Sequence, residues 1–325
     1  MIANTNTNAN PITKIQQAST LLKKKKGIVY ELVTNKWLYI MLFPAMLYFF
    51  VFKYIPMLGV VMAFENYNPV KGMLHSDWVG FKNFTHFFGE PSFWMLFRNT
   101  LLLALYSLLF YFPLPIILAL LLNELRKEVF KRFVQTVIYI PHFISWVVVV
   151  SMSYLLLTTE GGAVNNAIAG LGFEKIPFLL SSEWFRPTVV LQLIWKDTGW
   201  GTIIFLAALS GVDTQLYEAA TMDGAGRSRQ LWHITLPAIR STIVILLILR
   251  LGHFLDVGFE HVFLMLNSMN REVGEVFETY VYRIGLTQGQ YSYSAAVGLF
   301  KSAIGLVLVL SANWLAKRFG EEGVY

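Results

Sequence analysis

The 325-residue chain contains no cysteine. That excludes a disulfide framework, a thiolate zinc site, an iron–sulfur cluster and a cysteine nucleophile. Charge is scarce as well. Only 14% of the residues are Asp, Glu, Lys or Arg, where an ordinary soluble domain has ~25%. With 55% hydrophobic residues and a mean hydropathy of +0.53, the polar surface is too small to cover one or two soluble domains. The same apolar richness excludes disorder. There is no G-x-x-x-x-G-K-[ST] phosphate loop, no H-E-x-x-H and no G-x-S-x-G. The segment Gly298-Leu299-Phe300-Lys301-Ser302 lacks the first glycine and lies in an apolar run. No catalytic constellation and no metal-ligand set emerge, so the chain reads as a non-enzyme without a cofactor of its own. A polytopic membrane protein remains.

A helix needs ~20 mostly apolar residues to cross the hydrocarbon core. Six stretches qualify: Leu38–Met62, Asn99–Leu122, Val134–Leu157, Pro187–Leu209, Ala238–Gly258 and Ser294–Ala316. Prolines interrupt several of them, which membrane helices tolerate where neighbours satisfy the freed carbonyls. The expected fold class is all-α, a bundle of six transmembrane helices. Fifteen of the 26 Lys and Arg fall on one side of that arrangement, in the tail, the second and fourth loops and the C-terminal end. Six fall on the other side, and five lie in or at the edge of spans. The positive-inside rule then puts both termini in the cytoplasm. The run Lys23–Lys26 reads as a topology anchor beside anionic lipid, with no nucleic-acid role. It sits late and is followed by a long apolar run without a small-residue cleavage site, unlike a cleavable signal. The domain reading is a basic cytoplasmic tail over 1–36, a transmembrane domain over 37–320 and a short cytoplasmic tail over 321–325.

The fourth loop, 210–237, is cytoplasmic by this count and too polar to span. Asp213 or Thr214 is placed to N-cap a short helix. Gly224 and Gly226 permit a sharp turn, Arg227 to Ile234 form a second short helix, and Pro237 leads into span five. The segment contains Glu218-Ala219-Ala220, Asp223, Gly224, Ile234 and Leu236-Pro237. This spacing resembles the EAA loop of the permeases of binding-protein-dependent ABC importers. All seven defined positions of that pattern match: Glu218, Ala219, Ala220, Gly224, Ile234, Leu236 and Pro237. Trp78-Val79-Gly80-Phe81-Lys82-Asn83-Phe84 and Ala119-Leu120-Leu121-Leu122-Asn123-Glu124 are similar to segments of maltose-permease-like carbohydrate permeases. Tyr139 to Trp146, Gly258 to Val262 and Gln288 to Ser294 are similar to the subgroup that imports polysaccharide-derived oligosaccharides of the pectin (rhamnogalacturonan) or alginate type. The large extracytoplasmic insertion of the maltose permease subunit itself is missing, so its contacts with a binding protein do not carry over.

The resemblance implies a type I ABC importer permease fold in the bacterial cytoplasmic membrane. It implies half of a translocation pathway for oligosaccharide import, with Glu218, Ala219, Ala220, Asp223, Gly224, Ile234, Leu236 and Pro237 coupling to an ATPase. The implied partners are a second permease subunit, two ATPase subunits that use ATP and Mg, an extracytoplasmic solute-binding protein, the oligosaccharide and the lipid bilayer. Drive comes from alternating access between two states with different affinities for ATP and loaded binding protein.

Ionisable groups inside a membrane usually face protein or a wet cavity. On span four, Gln192, Trp195, Lys196 and Gly199 share a helical face, and Asp197 lies about 100° further round. On span five, Arg250, His253, Asp256 and Glu260 fall within an arc of about 120°. Two readings stand. Gln192, Trp195, Lys196, Asp197, Arg250, His253 and Asp256 line a sugar pathway, with Trp146, Tyr154 or Trp200 as further platforms and Arg250 or Lys196 meeting uronate carboxylates. Alternatively, Lys196, Asp197, Arg250 and Asp256 pair among themselves. His142 and His261 read as structural hydrogen-bonding groups, and Lys301 as a snorkelling lysine at the interface. A rival function is an ion-coupled secondary transporter that uses Asp197, Asp256 and His253 as a relay. A membrane glycosyltransferase would need acidic residues in a loop, and Glu65, Asp77 and Glu160 form no pattern.

Overall fold

The computed structural model describes residues 33–318 and 320. The run Lys23–Lys26, most of the tail 1–36 and the tail 321–325 lie outside the described residues. The described chain divides into two compact units, one ending at Gly59 and one starting at Val60. Helix α1 (Lys36–Phe64) is long and apolar enough to cross a membrane. It carries Pro44 and Pro56, and a π-helical turn over Phe50–Tyr54 precedes the second proline.

The second unit opens on a two-residue antiparallel pair, β1 (Glu65–Asn66) and β2 (Asp77–Trp78), with Glu65 opposite Trp78. This is a small departure from an all-helical chain. Asn83 ties it to α2 (Lys82–Gly89) by donating to the carbonyls of Ala63 and Glu65. Helix α3 (Ser92–Asn123) is the second straight apolar span. Pro113 and Pro115 have no amide to donate, and the helix absorbs the defect as a π turn over Ser107–Tyr111.

The third expected span is not straight. Helix α4 (Glu128–Phe143) meets α5 (Trp146–Leu157) at 98°. Pro141 forces a 3-10 turn, Ile144 is extended, and the Ser145 hydroxyl accepts from Val148 to start α5 afresh. A periodicity argument over Val134–Leu157 misses this, because apolarity runs straight through the break. After α6 (Ala163–Gly170), helix α7 (Ser182–Ser210) runs for 29 residues. It is long enough to span but less apolar than the others. The expected count of six is reached only with α7 added to three straight helices and two bent pairs.

Helix α8 (Thr214–Met222) and helix α9 (Arg227–Ala238) follow. The latter bends by 57° into α10 (Arg240–Gly252). Span five therefore stops at Gly252 and not at Gly258. The chain turns through His253 to Gly258, whose φ is +91°, and restarts in α11 (Phe259–Met265). The short helices α12 (Arg271–Gly274) and α13 (Phe277–Val281) lead to α14 (Tyr291–Arg318), the third straight apolar span.

Three apolar clusters hold the second unit together. One joins Leu103, Val150, Phe185, Val189 and Val262 of α3, α5, α7 and α11. A second joins Phe87, Phe93, Phe277, Tyr280 and Val297. A third, beside α9, joins Ala119, Phe205, Leu209 and Ile239. Large apolar side chains such as Leu109, Phe110, Leu121, Leu306, Val307 and Leu310 are more than half exposed. Such a surface requires lipid or another protein against it.

Candidate functional site

The loop 210–237 folds as a compact helical hairpin. Asp213, not Thr214, caps α8: its carboxylate accepts from the Gln215 amide at 2.9 Å. The helix ends in a left-handed turn at Gly224, φ +75°. The Ala225 amide donates to Ala220 O at 2.8 Å and the Gly224 amide to Thr221 O at 3.0 Å. This pair of bonds satisfies carbonyls that the helix end would leave open. Gln230 clasps the turn by donating to Thr221 Oγ1 and Ala225 O, and Tyr217 bonds Thr235 across the two helices at 3.0 Å. Glu218, Ala219, Asp223, Gly224 and Pro237 are exposed, while Ala220, Ile234 and Leu236 are half-buried. Met222 and Trp232 stand out into solvent at 88% and 67% exposure. The hairpin is thus a rigid, partly apolar projection with no covering partner among the described residues.

A second site lies within the bundle, where the α4–α5 break meets α7. Lys196 is 6% exposed and donates to the His142 carbonyl at 2.5 Å, with its ammonium 5.4 Å from the Trp146 ring centre. The Asp197 carboxylate bonds His142 Nδ1 at 2.8 Å. The imidazole of His142 lies flat on Trp200, centroids 4.4 Å apart and planes 5° apart. Tyr111 donates to Asp197 O at 3.5 Å, and the Arg250 guanidinium stands 5.7 Å from the Tyr111 ring centre. Trp200 is 46% exposed, and Asp197, His142 and Arg250 are half-buried. Charge, hydrogen-bonding groups and an open indole face therefore converge from α3, α4, α7 and α10.

Beside it runs a buried polar chain. His261 Nε2 donates to Gln192 Oε1 at 2.6 Å, Gln192 donates to Ser153 Oγ at 2.6 Å, and Ser153 donates to Val149 O at 3.0 Å. The amide oxygen of Gln192 accepts only, so the network assigns the proton to His261 Nε2. The His261 ring stacks on Trp146 at 3.7 Å. Trp195, expected on the face of Lys196, is 46% exposed and lines an apolar cavity of about 420 Å³ between α5 and α7.

The expected stripe on span five does not form. The helix ends before Asp256 and Glu260, so helical spacing no longer relates them to Arg250. His253 is exposed, with its Nδ1 3.3 Å from Leu249 O. Asp256 pairs with Lys301, which also bonds Glu278 at 2.6 Å. Lys301 therefore does not snorkel. Nor do Lys196, Asp197, Arg250 and Asp256 pair with one another: Lys196 and Asp197 both meet His142, Arg250 stands over Tyr111, and Asp256 pairs with Lys301. Asp197, Asp256 and His253, the relay required of an ion-coupled transporter, form no mutual bond among the described residues. Tyr111, Glu278 and the Asn99–Arg186 bond were not singled out from the sequence. The signal for Tyr111 was available in the two prolines that follow it, which fix the turn that presents its ring.

At the end of α7 far from the hairpin, buried Asn99 donates to the carbonyls of Glu272 and Glu275 and accepts from Arg186 Nη2 at 2.9 Å. The Glu275 carboxylate is taken by Arg283 in a two-point bond of 2.7 and 3.0 Å. That bond holds the Arg283 guanidinium above its ordinary pKa. Among the described residues no group of His, Asp and Glu is arranged to hold a metal ion.

Residues 111–321 match the family described as "Binding-protein-dependent transport system inner membrane component". The chain is 60% identical over 303 residues to the polygalacturonan/rhamnogalacturonan transport system permease protein YteP of Bacillus subtilis, covering 93% of this chain and 94% of that one. It is 57% identical to protein LplB of the same organism, over 94% and 96% of the two chains. A chain of a bacterial alginate ABC transporter, crystallised with a periplasmic protein bound to alginate pentasaccharide, superposes with a TM-score of 0.85. That chain is 39% identical, and the match covers 92% of this chain and 100% of that one.

Proposed function

The chain belongs to the inner membrane components of binding-protein-dependent transport systems, and from that premise we propose that it imports acidic oligosaccharides cut from plant or algal polysaccharides. It forms one half of a translocation pathway and pairs with a second permease subunit, two ATPase subunits and an extracytoplasmic solute-binding protein. The observation that carries the substrate class is the 60% identity to a polygalacturonan/rhamnogalacturonan permease over nearly the whole of both chains. The alginate transporter relative favours the same class, since polygalacturonan and alginate are built from uronate sugars and rhamnogalacturonan contains them.

In this reading six helices cross the membrane, α7 being the sixth, and both termini are cytoplasmic. The hairpin of α8 and α9 docks into the ATPase subunit through Glu218, Ala219, Ala220, Asp223 and Gly224. Ile234, Leu236 and Pro237 tie it to α10. ATP-driven closure of the ATPase dimer moves this projection as a unit, because Tyr217–Thr235 and Gln230–Thr221 lock its two helices together. The motion reaches the pathway through α7 and α10, which flank the hairpin and carry Lys196, Asp197 and Arg250. Of the expected pathway residues, Arg250 and Asp197 face the open cluster with Trp200. Gln192 and Lys196 support it from buried networks, and Trp195, His253 and Asp256, which pairs with Lys301, stand to the side. ATP and Mg act in the partner subunit.

The test is ATP hydrolysis by the reconstituted complex with its binding protein. Uronate oligosaccharides should stimulate it, and neutral oligosaccharides of equal length should not. Stimulation by the neutral set alone would overturn the acidic substrate class and leave the importer reading standing. Uptake that persists without the ATPase and collapses with an uncoupler would overturn the importer reading itself.

A further inference from the structure

Arginines near the hairpin-distal ends of α3 and α7 lack anions. Arg186, on the second turn of α7, has one hydrogen-bonded partner, the neutral side chain of Asn99. Its Nε is buried without a partner, and Nη1 has none among the described residues. Arg98, next to Asn99 on α3, is exposed and makes no hydrogen bond or ion pair among the described residues. The two guanidinium groups are near enough to repel each other. Glu275, whose carbonyl accepts from Asn99, has both carboxylate oxygens occupied by Arg283.

This arrangement is built and not incidental. Asn99 is fully buried and spends both amide hydrogens on the α12 segment. Its oxygen is left to orient the Arg186 fork. A guanidinium fixed through Nη2, with Nη1 free and a second cation beside it, suits a carboxylate, which accepts a charge-assisted N–H bond. Uncompensated positive charge at the mouth of a cleft also draws in anions and raises their local concentration.

We propose that Arg186 and Arg98 form a carboxylate-binding subsite at the hairpin-distal mouth of the pathway, where a uronate of the incoming oligosaccharide is first held by this chain. The proposal rests on the acidic-oligosaccharide reading above. Arg186 and Trp200 are fourteen residues apart on α7, which places the subsite ~21 Å along the helix from Trp200. A chain of several sugars then touches both, with one carboxylate at the mouth and another near Arg250. Arg186 is the positioned donor and Arg98 the second charge.

The experiment is equilibrium binding of trigalacturonate and of its fully methyl-esterified form. The protein is the complete permease–ATPase complex in phosphatidylcholine nanodiscs, with ATP and a hydrolysis-defective ATPase subunit holding the hairpin-distal side open. Wild type should bind the free acid at least tenfold more tightly than the ester. R186Q and R98Q should each erode that preference several-fold and leave ester binding within about twofold. R186K should recover part of it. R98Q changes an exposed side chain, so it reports even if R186Q fails to assemble. Equal weakening of both sugars, or an undiminished preference in R98Q and R186Q, overturns the subsite. A wild-type complex that shows no preference for the acid overturns the acidic-substrate reading, and the subsite with it.

Discussion

Arg250 holds its guanidinium over the ring of Tyr111, 5.7 Å from its centre, and no carboxylate among the described residues pairs with it. Tyr111 is itself fixed by its hydroxyl on Asp197 O. A cation on an aromatic face gains ~0.5–2 kcal/mol. That orients the guanidinium without consuming its hydrogen-bond donors. A bond from such a group to a carboxylate contributes ~1.5–3 kcal/mol. Arg250→Ala should therefore raise the KM for uptake of a uronate oligosaccharide by about ten- to a hundredfold. A neutral oligosaccharide should change by no more than about twofold, and Arg250→Lys should fall between. Uptake of both sugars by proteoliposomes decides the matter, and equal losses would make Arg250 a structural residue.

The turn at Gly224 separates two effects that a single substitution would confuse. Its φ of +75° belongs to the left-handed region, yet a Cβ added there meets no atom within 4 Å. The cost of Ala or Val is then conformational, ~1–2 kcal/mol, and not a clash. Asn enters this region more readily. Gly224→Asn should keep most of the ATP-driven uptake, Gly224→Ala should lose part of it, and Gly224→Trp should abolish it by adding bulk to the docking tip. All three should insert normally, because a Cβ at Gly224 meets no atom of the described residues within 4 Å. Wild-type uptake by the Trp variant would remove the hairpin from the coupling path.

The cap and turn of the hairpin are legible in the sequence because they are local, whereas the Tyr217–Thr235 and Gln230–Thr221 ties between its helices are not. A cap at Asp213, glycines at the turn and a proline before the next helix are read off consecutive residues. The positions of the straight helices were legible for a similar reason, since apolar length alone marks them. What the sequence concealed was long-range pairing. Nothing near Lys301 in the chain announces Asp256 or Glu278, and nothing near Arg186 announces Asn99. The stripe on span five failed at one residue: helical periodicity was carried past Gly252, where the backbone leaves the helix. The 98° break at Ile144 is hidden in the sequence because proline is tolerated inside a membrane span, although Pro141 followed by Ser145 is also a stop followed by an N-cap.

Lys301 joins two carboxylates from elsewhere in the chain, Asp256 in the turn after α10 and Glu278 on α13. Its side chain is 19% exposed and that of Glu278 is 17% exposed, whereas Asp256 is 43% exposed. Removing the cation leaves two facing carboxylates with little water. Breaking a buried ion pair from one side typically costs ~3–5 kcal/mol. Lys301→Met should lower the thermal midpoint of the detergent-extracted protein strongly. Asp256→Asn should lower it much less, because water reaches that carboxylate. Glu278→Gln placed on top of Lys301→Met should recover part of the loss. If the double variant is no more stable than Lys301→Met, the three groups do not act as one network.

Gly199 sets how closely α4 and α7 approach, and through that the whole Lys196 cluster. A Cβ on Gly199 would lie 1.9 Å from the carbonyl oxygen of Ile138 and 2.6 Å from its carbonyl carbon. Both are backbone atoms, so no side-chain rotation relieves the clash and α4 must move. Ile138 lies one turn before His142 on the same helix, which means the displacement carries His142 away from Lys196 and Asp197. Lys196 would then lose its only hydrogen-bonded partner among the described residues, the His142 carbonyl. Overpacking a tight site ordinarily costs ~1–3 kcal/mol, and stranding a buried ammonium adds to that. Gly199→Ala should therefore fail to yield monodisperse protein, or give one with a sharply lowered thermal midpoint and no uptake. Gly298 on α14 provides the control, because a Cβ there meets nothing within 4 Å. Ala at that helix-interior site should stabilise by ~0.5–1 kcal/mol. If Gly199→Ala unfolds at the wild-type temperature, α4 is not seated on α7 at this point, and the convergence of His142, Lys196 and Asp197 loses its structural basis.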